Sequence, residues 1–123
     1  MSTEIHIFRH ARTTRDLAAG ETLFAVGDPG DTMFAVLEGG IELRLDGRVV
    51  ETVRSGGIIG ELVLIEPAPR SLDAVAVEPT KVAVVNEREF MYLVQEHPTF
   101  ALQVMQIMAE RIRRNSGTAP GGV

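Results

Sequence analysis

Short apolar or alternating segments, separated by turn residues, fill the chain between residues 21 and 85. Within residues 41–45, three large aliphatic side chains alternate with two charged ones, so we predict a strand with one buried and one hydrated face. Asp46 and Gly47 then predict a type I′ hairpin, because both central residues of that turn have positive φ, with the returning strand over residues 48–53. This pattern is typical of antiparallel strands in a sandwich or barrel.

Further strands are predicted on both sides of this hairpin. Residues 28–31 (Asp-Pro-Gly-Asp) carry proline and glycine in the order that a type II turn prefers, and a buried strand follows over residues 33–37. Residues 74–77 and 82–85 are predicted to form another pair of strands. We expect a corner at residues 78–81 to join them, because its proline blocks continued pairing.

Two helices are predicted after the strands. Asn86 is a favourable N-cap and Glu89 lies three residues later, which predicts a helix over about residues 87–96. A His-Pro pair ends this helix, and Thr99 is predicted to cap a second helix that runs to about residue 114.

The apolar surface of the last helix is unusually broad. At roughly 100° per residue, its apolar side chains sweep roughly 220°, which is wider than one packing face needs. These side chains are Phe100, Ala101, Val104, Met105, Ile107, Met108, Ala109 and Ile112. One side of the helix can therefore cover the strands while the other meets a ligand or the same helix of a second chain, and deep burial of the whole helix is the alternative.

The amino-acid composition of the chain argues against several classes of function. A formal net charge of −5 argues against a general nucleic-acid binder, which needs a basic surface, so any phosphate must be bound locally. The absence of cysteine excludes disulfides, zinc-thiolate sites and thiol catalysis, and it favours a reducing compartment such as the cytoplasm. Nothing at the N-terminus resembles a signal peptide, and no apolar segment approaches the length of a membrane span.

One segment combines groups that suit a sugar phosphate. The glycine-rich residues 55–60 precede Glu61 and the apolar residues 62–65, which predicts a loop that opens into one turn of helix and can bind a phosphate through backbone amides. Arg70 offers a planar fork for two phosphate oxygens, and Ser71 adds a hydroxyl. A glutamate accepts hydrogen bonds only, so it suits a sugar hydroxyl. The alternative is a surface ion pair between Glu61 and Arg70, with ordinary turns around it.

Two stretches resemble the cyclic nucleotide-binding domain family. Gly60 to Ser71 (Gly-Glu-Leu-Val-Leu-Ile-Glu-Pro-Ala-Pro-Arg-Ser) resembles the family's phosphate-binding cassette, and residues 27–39 resemble its glycine-aspartate turn, strand and glycine corner. The resemblance implies a mainly β fold with α-helices, a double-stranded β-helix or jelly-roll-like β-roll with a short cassette helix and two C-terminal helices. It divides the chain into an N-terminal segment without a clear pattern (1–15), a cyclic nucleotide-binding domain (16–115) and a flexible tail (116–123).

The resemblance also implies roles for individual residues. Glu61 would accept the free ribose hydroxyl, and Arg70 would pair with the phosphate oxygens outside the ring. Gly60 and Leu62 would lend backbone amides, and Ser71 would also bind the phosphate. The complete predicted binding set is Ile59, Gly60, Glu61, Leu62, Val63, Arg70 and Ser71.

Departures from the family pattern affect the expected affinity and the ligand. Ile59 stands where the family usually has phenylalanine, and Leu72 and Asp73 replace a small residue and a threonine. A carboxylate near a phosphate costs Coulomb energy, although strand alternation or pairing with Arg70 could offset it. Because Ser71 does not supply the threonine that often accompanies cGMP preference, we expect cAMP, with cGMP as the alternative.

In the family, the C-terminal helix closes over the base, and its movement is the output. Candidates to touch the purine are Gln103, Gln106, Arg111 and Arg113. We favour the interpretation that Arg111, Arg113 and Arg114 are solvated charges that complement the helix dipole.

These features predict a stand-alone sensor that binds a cyclic nucleotide and signals through its C-terminal helix, as a homodimer or with a partner protein. The alternative is a degenerate β-roll that binds no nucleotide and acts as an interaction module. An enzyme on a similar scaffold would need clustered histidines, and none lies between residues 21 and 85. We therefore predict no catalytic activity, no metal and no cofactor beyond the nucleotide ligand.

Overall fold

The computed structural model describes residues 3–116, without the side chains of residues 115 and 116. In this part of the chain, eight strands and three helices follow one another. The strands are β1 (Thr14–Leu17), β2 (Thr22–Phe24), β3 (Thr32–Glu38), β4 (Gly40–Leu45), β5 (Arg48–Arg54), β6 (Ile58–Ile59), β7 (Asp73–Ala76) and β8 (Thr80–Asn86). The helices are α1 (Leu62–Ile65), α2 (Glu87–Glu96) and α3 (Pro98–Ser116).

The strands form two antiparallel four-stranded sheets. One sheet has the order β1-β8-β3-β6 and the other the order β2-β7-β4-β5. A buried apolar cluster between them takes side chains from both sheets, including Phe34 and Val82 from the first and Ile41 and Ala74 from the second. This arrangement confirms the predicted mainly β roll with a short helix and two C-terminal helices.

The β4–β5 hairpin confirms the local turn prediction. Asp46 has a φ of 52° and Gly47 a φ of 78°, so both central residues lie in the left-handed region that a type I′ turn requires. β5 returns antiparallel to β4, with Leu45 opposite Arg48.

β7 and β8 are not paired, so the prediction that they form one pair of strands is wrong. β7 pairs with β2 and β4, whereas β8 pairs with β1 and β3. The corner before β8 packs closely on Gly39, where a Cβ would lie 2.4 Å from Thr80 Oγ1. Thr80 Oγ1 also hydrogen-bonds the amide and carbonyl of Gly40 over 3.1 and 3.2 Å. These contacts stabilise a corner that carries the chain from one sheet to the other.

The helix starts show one confirmed cap and one corrected cap. The amide of Glu89 donates to Asn86 Oδ1 over 2.8 Å, which confirms the predicted N-cap of α2. α3 begins at Pro98, so the prediction that Thr99 caps it is wrong. Proline suits the first helical position, because its fixed φ matches the helix and that position needs no amide donor. The predicted flexible tail beyond Ser116 lies outside the described residues.

A second apolar cluster lies where the helices and the N-terminal segment cover the first sheet. Ile5 and Phe8 are buried in it, although the sequence pattern did not place them. Phe100 of α3 contacts Phe8 and Phe90 edge-on, with ring centres 5.7 and 5.8 Å apart. The N-terminal segment and both C-terminal helices therefore share one core.

The two sides of α3 have different environments. Phe100, Val104 and Ile107 are buried against the roll, whereas Met105 and Ile112 are 61% and 63% exposed. One side of the helix thus covers the strands as predicted, and deep burial of the whole helix is excluded. Among the described residues, no helix has both the length and the apolar composition needed to cross a membrane.

Candidate functional site

Backbone hydrogen bonds hold Arg70 beside the turn that precedes β3. Its amide donates to the carbonyl oxygen of Asp28, and its carbonyl oxygen accepts from the amide of Gly27, both over 2.8 Å. These bonds join the two segments on which the family resemblance rests.

The guanidinium of Arg70 lies inside the roll, and the residue is only 6% exposed. Nη2 donates to the carbonyl oxygen of Thr32 over 2.8 Å, and Nη1 donates to that of Gly60 over 3.3 Å. The guanidinium carbon lies 4.4 Å from the ring centre of Phe24 and 5.6 Å from that of Phe34. Nε has no hydrogen-bond partner among the described residues.

Two glycines leave room for this guanidinium. A Cβ at Gly30 would lie 2.3 Å from Arg70 Nε, and a Cβ at Gly60 would lie 2.5 Å from Nη1. A type II turn over residues 28–31 requires a positive φ at Gly30. The φ of Gly30 lies outside the left-handed region, so this prediction is wrong. The glycine of this segment with a positive φ is Gly27, at 88°. Gly30 is needed for the close approach of Arg70, not for a positive φ.

The charge of Arg70 is incompletely compensated. Burial lowers the pKa of Arg70 from its ordinary value, and the negative charges of Asp31 and Asp28 act against this effect. Within residues 3–116, no carboxylate forms an ion pair with Arg70. A buried cation held only by neutral oxygens keeps much of the cost of its burial. The site is therefore electrostatically suited to an anion.

Glu61, the predicted sugar-binding carboxylate, is also buried. The residue precedes α1, is 3% exposed and does not cap the helix with its side chain. Its Oε1 accepts a hydrogen bond from Arg111 Nη1 over 2.5 Å. Glu61 and Arg70 are buried with different partners, which excludes the alternative of a surface ion pair between them.

Arg111 of α3 is the centre of a charged cluster. Its Nε donates to Glu51 Oε1 over 3.0 Å, and its Nη2 donates to Glu51 Oε2 over 3.4 Å and to the carbonyl oxygen of Ile58. Arg114 Nη1 lies 3.2 Å from Glu51 Oε1. Burial disfavours the charged form of Arg111, but the carboxylates of Glu61 and Glu51 raise the pKa of Arg111 above its ordinary value. The interpretation of Arg111 as a solvated charge is wrong.

The other predicted binding residues are divided between the core and the surface. Ile59 is fully buried in β6, and Val63 is 9% exposed in α1. Leu62 is 53% exposed, and Ser71 is exposed without a side-chain hydrogen bond to the described residues. The structure thus brings Gly60 and Arg70 together, and contacts of all seven predicted residues with a ligand stay predictions.

Asp73, the main departure from the family pattern, has a structural partner. Its Oδ1 accepts a hydrogen bond from the amide of Val26 over 2.8 Å. The carboxylates whose charges act on Arg70 are instead the two in the turn before β3. Asp73 therefore stabilises the start of β7.

Sequence reasoning missed several residues of the site. Thr32, Phe24 and Phe34 are strand residues whose types carry no binding signal, and they meet Arg70 only because the two sheets pack together. Glu51 has the same character, since it is one of several charged residues on an exposed strand pattern. Gly30 did carry a signal, as the glycine of the segment Asp-Pro-Gly-Asp, but the pattern predicts only a turn there.

The family model for the cyclic nucleotide-binding domain matches residues 14–97, which is more than half of the chain. The chain therefore belongs to the cyclic nucleotide-binding domain family, which is a regulatory and not a catalytic family. This match confirms the predicted family.

Three individual proteins show the extent of this similarity. The Pycsar effector protein XpPycTIR of Xanthomonas perforans is 32% identical over 95 residues, which are 76% of this chain and 31% of that protein. The CRP-like cAMP-activated global transcriptional regulator of Mycobacterium tuberculosis is 24% identical over 106 residues, 82% of this chain and 47% of that protein. The solved catabolite activator protein of Thermus thermophilus matches with a TM-score of 0.75 and 27% identity, covering 85% of this chain and 51% of that chain. This chain spans about a third to a half of the length of these relatives.

Proposed function

We propose that this domain is a sensor that binds cAMP inside the roll, beneath the cassette that begins at Gly60. The observation that carries the proposal is Arg70, a buried guanidinium with an unpartnered Nε and no ion-paired carboxylate among the described residues. An anion that accepts from Nε would compensate both the charge and the missing hydrogen bond.

The charge balance of the site favours a cyclic phosphate. A cyclic phosphodiester carries one negative charge, whereas a phosphate monoester carries about −1.5 to −2 at pH 7. Arg70 is one cation, and Asp28 and Asp31 already act on it. A singly charged phosphate matches this balance better than a linear nucleotide does.

We assign the remaining contacts with the nucleotide from the resemblance of residues 60–71 to the family's cassette. We assign the amides of Gly60 and Leu62 and the hydroxyl of Ser71 to the phosphate, and the carboxylate of Glu61 to the ribose hydroxyl. Ile59 and Val63 complete the site as apolar neighbours. Ser71 in place of threonine, together with the cAMP-activated relative, supports cAMP over cGMP.

Isothermal titration calorimetry with cAMP and cGMP tests the proposal. We expect measurable binding with a preference for cAMP, and a loss on the order of 1.5 to 3 kcal/mol, or roughly ten- to a hundredfold in affinity, for Arg70→Ala. Arg54→Ala is the matched control, because Arg54 is 63% exposed and pairs with Glu78 on the surface.

The outcome also distinguishes a β-roll that binds no nucleotide. Such a module would show no heat with either nucleotide, and Arg70→Ala and Arg54→Ala would behave alike. Binding that persists unchanged in Arg70→Ala would remove Arg70 from the phosphate site.

For the output, we propose that a second copy of this chain packs on the exposed side of α3. Leu102, Met105, Ala109 and Ile112 follow the 3-4-3 spacing of a coiled-coil seam, and Leu102 is 58% exposed. Sedimentation velocity should show a dimer that Met105→Glu dissociates and that Met91→Glu, an exposed methionine of α2, does not. A monomer at all concentrations would contradict this output and would favour a partner protein.

We also propose that the sensor acts in the cytoplasm.

A further inference from the structure

Four charged residues connect α3 to the cassette and to β5. They are Glu51, Glu61, Arg111 and Arg114. The side chain of Arg111 is 16% exposed and that of Glu61 is 4% exposed, so the pair at the centre of this cluster is largely removed from water. Phosphate binding by Arg70 uses none of these side chains.

Glu61 uses its two carboxylate oxygens differently. Oε1 accepts from Arg111 Nη1 over 2.5 Å, whereas Oε2 accepts no hydrogen bond from the residues that the structure describes. Arg111 is the counter-charge of this buried carboxylate. The carboxylate then has one oxygen left to accept from a sugar hydroxyl.

Arg111 is held on several sides. Its Nε and Nη2 donate to the two oxygens of Glu51 on β5, and Nη2 also donates to the carbonyl of Ile58 on β6. All three guanidinium nitrogens are therefore hydrogen-bonded. A planar fork with this many contacts has little freedom, so α3 determines where the carboxylate of Glu61 lies.

We infer that Arg111, oriented by Glu51, is a positioning residue that keeps the carboxylate of Glu61 directed at the sugar hydroxyl beside the cyclic phosphate. This inference rests on the proposed nucleotide binding. It adds that selection for a free sugar hydroxyl depends on a residue of α3, outside the cassette. By linkage, contact with that hydroxyl also favours the docked position of α3.

The test compares cAMP with 2′-deoxy-cAMP, which lacks that hydroxyl, by titration calorimetry. We expect the wild-type chain to bind cAMP about tenfold more tightly, as a hydrogen bond to a charged group predicts. In Arg111→Gln this ratio should fall to about two- to threefold, because a displaced carboxylate of Glu61 accepts more weakly. Arg54→Gln, at an exposed arginine that pairs with Glu78, should keep the wild-type ratio. A general loosening of the roll would weaken both nucleotides alike and leave the ratio unchanged.

Each outcome decides the inference. A ratio in Arg111→Gln that equals or exceeds the wild-type ratio overturns it. If Arg111→Gln does not fold, Glu51→Gln decides instead, and a full ratio in that variant overturns the inference. Equal binding of both nucleotides by the wild type overturns the sugar contact and leaves the phosphate site intact, whereas no binding of either nucleotide overturns the proposed function as well.

Discussion

Arg70 and Arg111 are both arginines with largely buried side chains, but their partners differ in kind. Arg111 hydrogen-bonds the carboxylates of Glu51 and Glu61. Arg70 has neutral oxygens as its hydrogen-bond acceptors, and its Nε has no partner among the described residues. The pKa values move in opposite directions for this reason, down for Arg70 by burial and up for Arg111 by its two carboxylates despite burial.

This difference separates a charge that holds the fold together from a charge that serves a ligand. Removing one member of a buried ion pair leaves the other uncompensated, which is strongly destabilising. A buried cation without a counter-ion contributes little to stability, because its desolvation is not repaid until an anion binds. The following four predictions test the contrast.

Arg111→Met should have the largest effect, a loss of about 3 kcal/mol in the free energy of unfolding, because Glu61 stays buried without its counter-charge. Urea denaturation measures it. Arg54→Met is the control, and breaking its exposed pair with Glu78 should cost less than about 1 kcal/mol. If the two variants lost equal stability, the cluster around Arg111 would not hold the fold together.

Saturation with cAMP should cause the next largest change in the free energy of unfolding. At a concentration one hundred times Kd, binding to the folded state alone stabilises it by about 2.7 kcal/mol. At the same cAMP concentration, the gain for Arg70→Met should fall to about 0.4 to 1.4 kcal/mol, because a ten- to hundredfold weaker affinity follows when the phosphate loses its cation. Thermal unfolding with and without cAMP measures both, and AMP serves as the non-cyclic control. Equal stabilisation of the two chains would contradict a binding role for Arg70.

Gly30→Ala should cost about 1 to 2 kcal/mol, because its Cβ would lie 2.3 Å from Arg70 Nε and the side chain must shift. In an Arg70→Ala background the cost should shrink, since the clashing group is gone. Unfolding of the four proteins of this double-mutant cycle measures the coupling. Strictly additive effects would mean that Gly30 is needed for something other than room for Arg70.

Arg70→Met should have the smallest effect on the free chain, within about 1 kcal/mol of the wild-type stability. The apolar side chain keeps contact with Phe24 and Phe34 and removes a charge that has no ion-paired carboxylate among the described residues. Urea denaturation without nucleotide measures it. A loss as large as that of Arg111→Met would erase the contrast between the two arginines.

Local signals predicted much of the fold. The turn at Asp46 and Gly47 and the cap at Asn86 depend on backbone conformation and on a side chain bonding three residues away, so the sequence contains them. The separation of β7 and β8 into different sheets was missed, because the choice of a strand's partner depends on distant segments. Gly30 was misinterpreted for the same reason, since its close neighbour is Arg70.

The sequence by itself determined the family, the approximate strands and helices, and the presence of one cation and one carboxylate in the cassette, because these depend on residue type and short-range order. Only the tertiary structure decided which group each charge meets. Glu61 and Arg70 are nine residues apart, yet Glu61 pairs with Arg111, fifty residues away, and Arg70 bonds Thr32, thirty-eight residues away. A hydrogen bond requires its donor and acceptor atoms within about 3.5 Å of each other, and separation along the chain does not specify such distances.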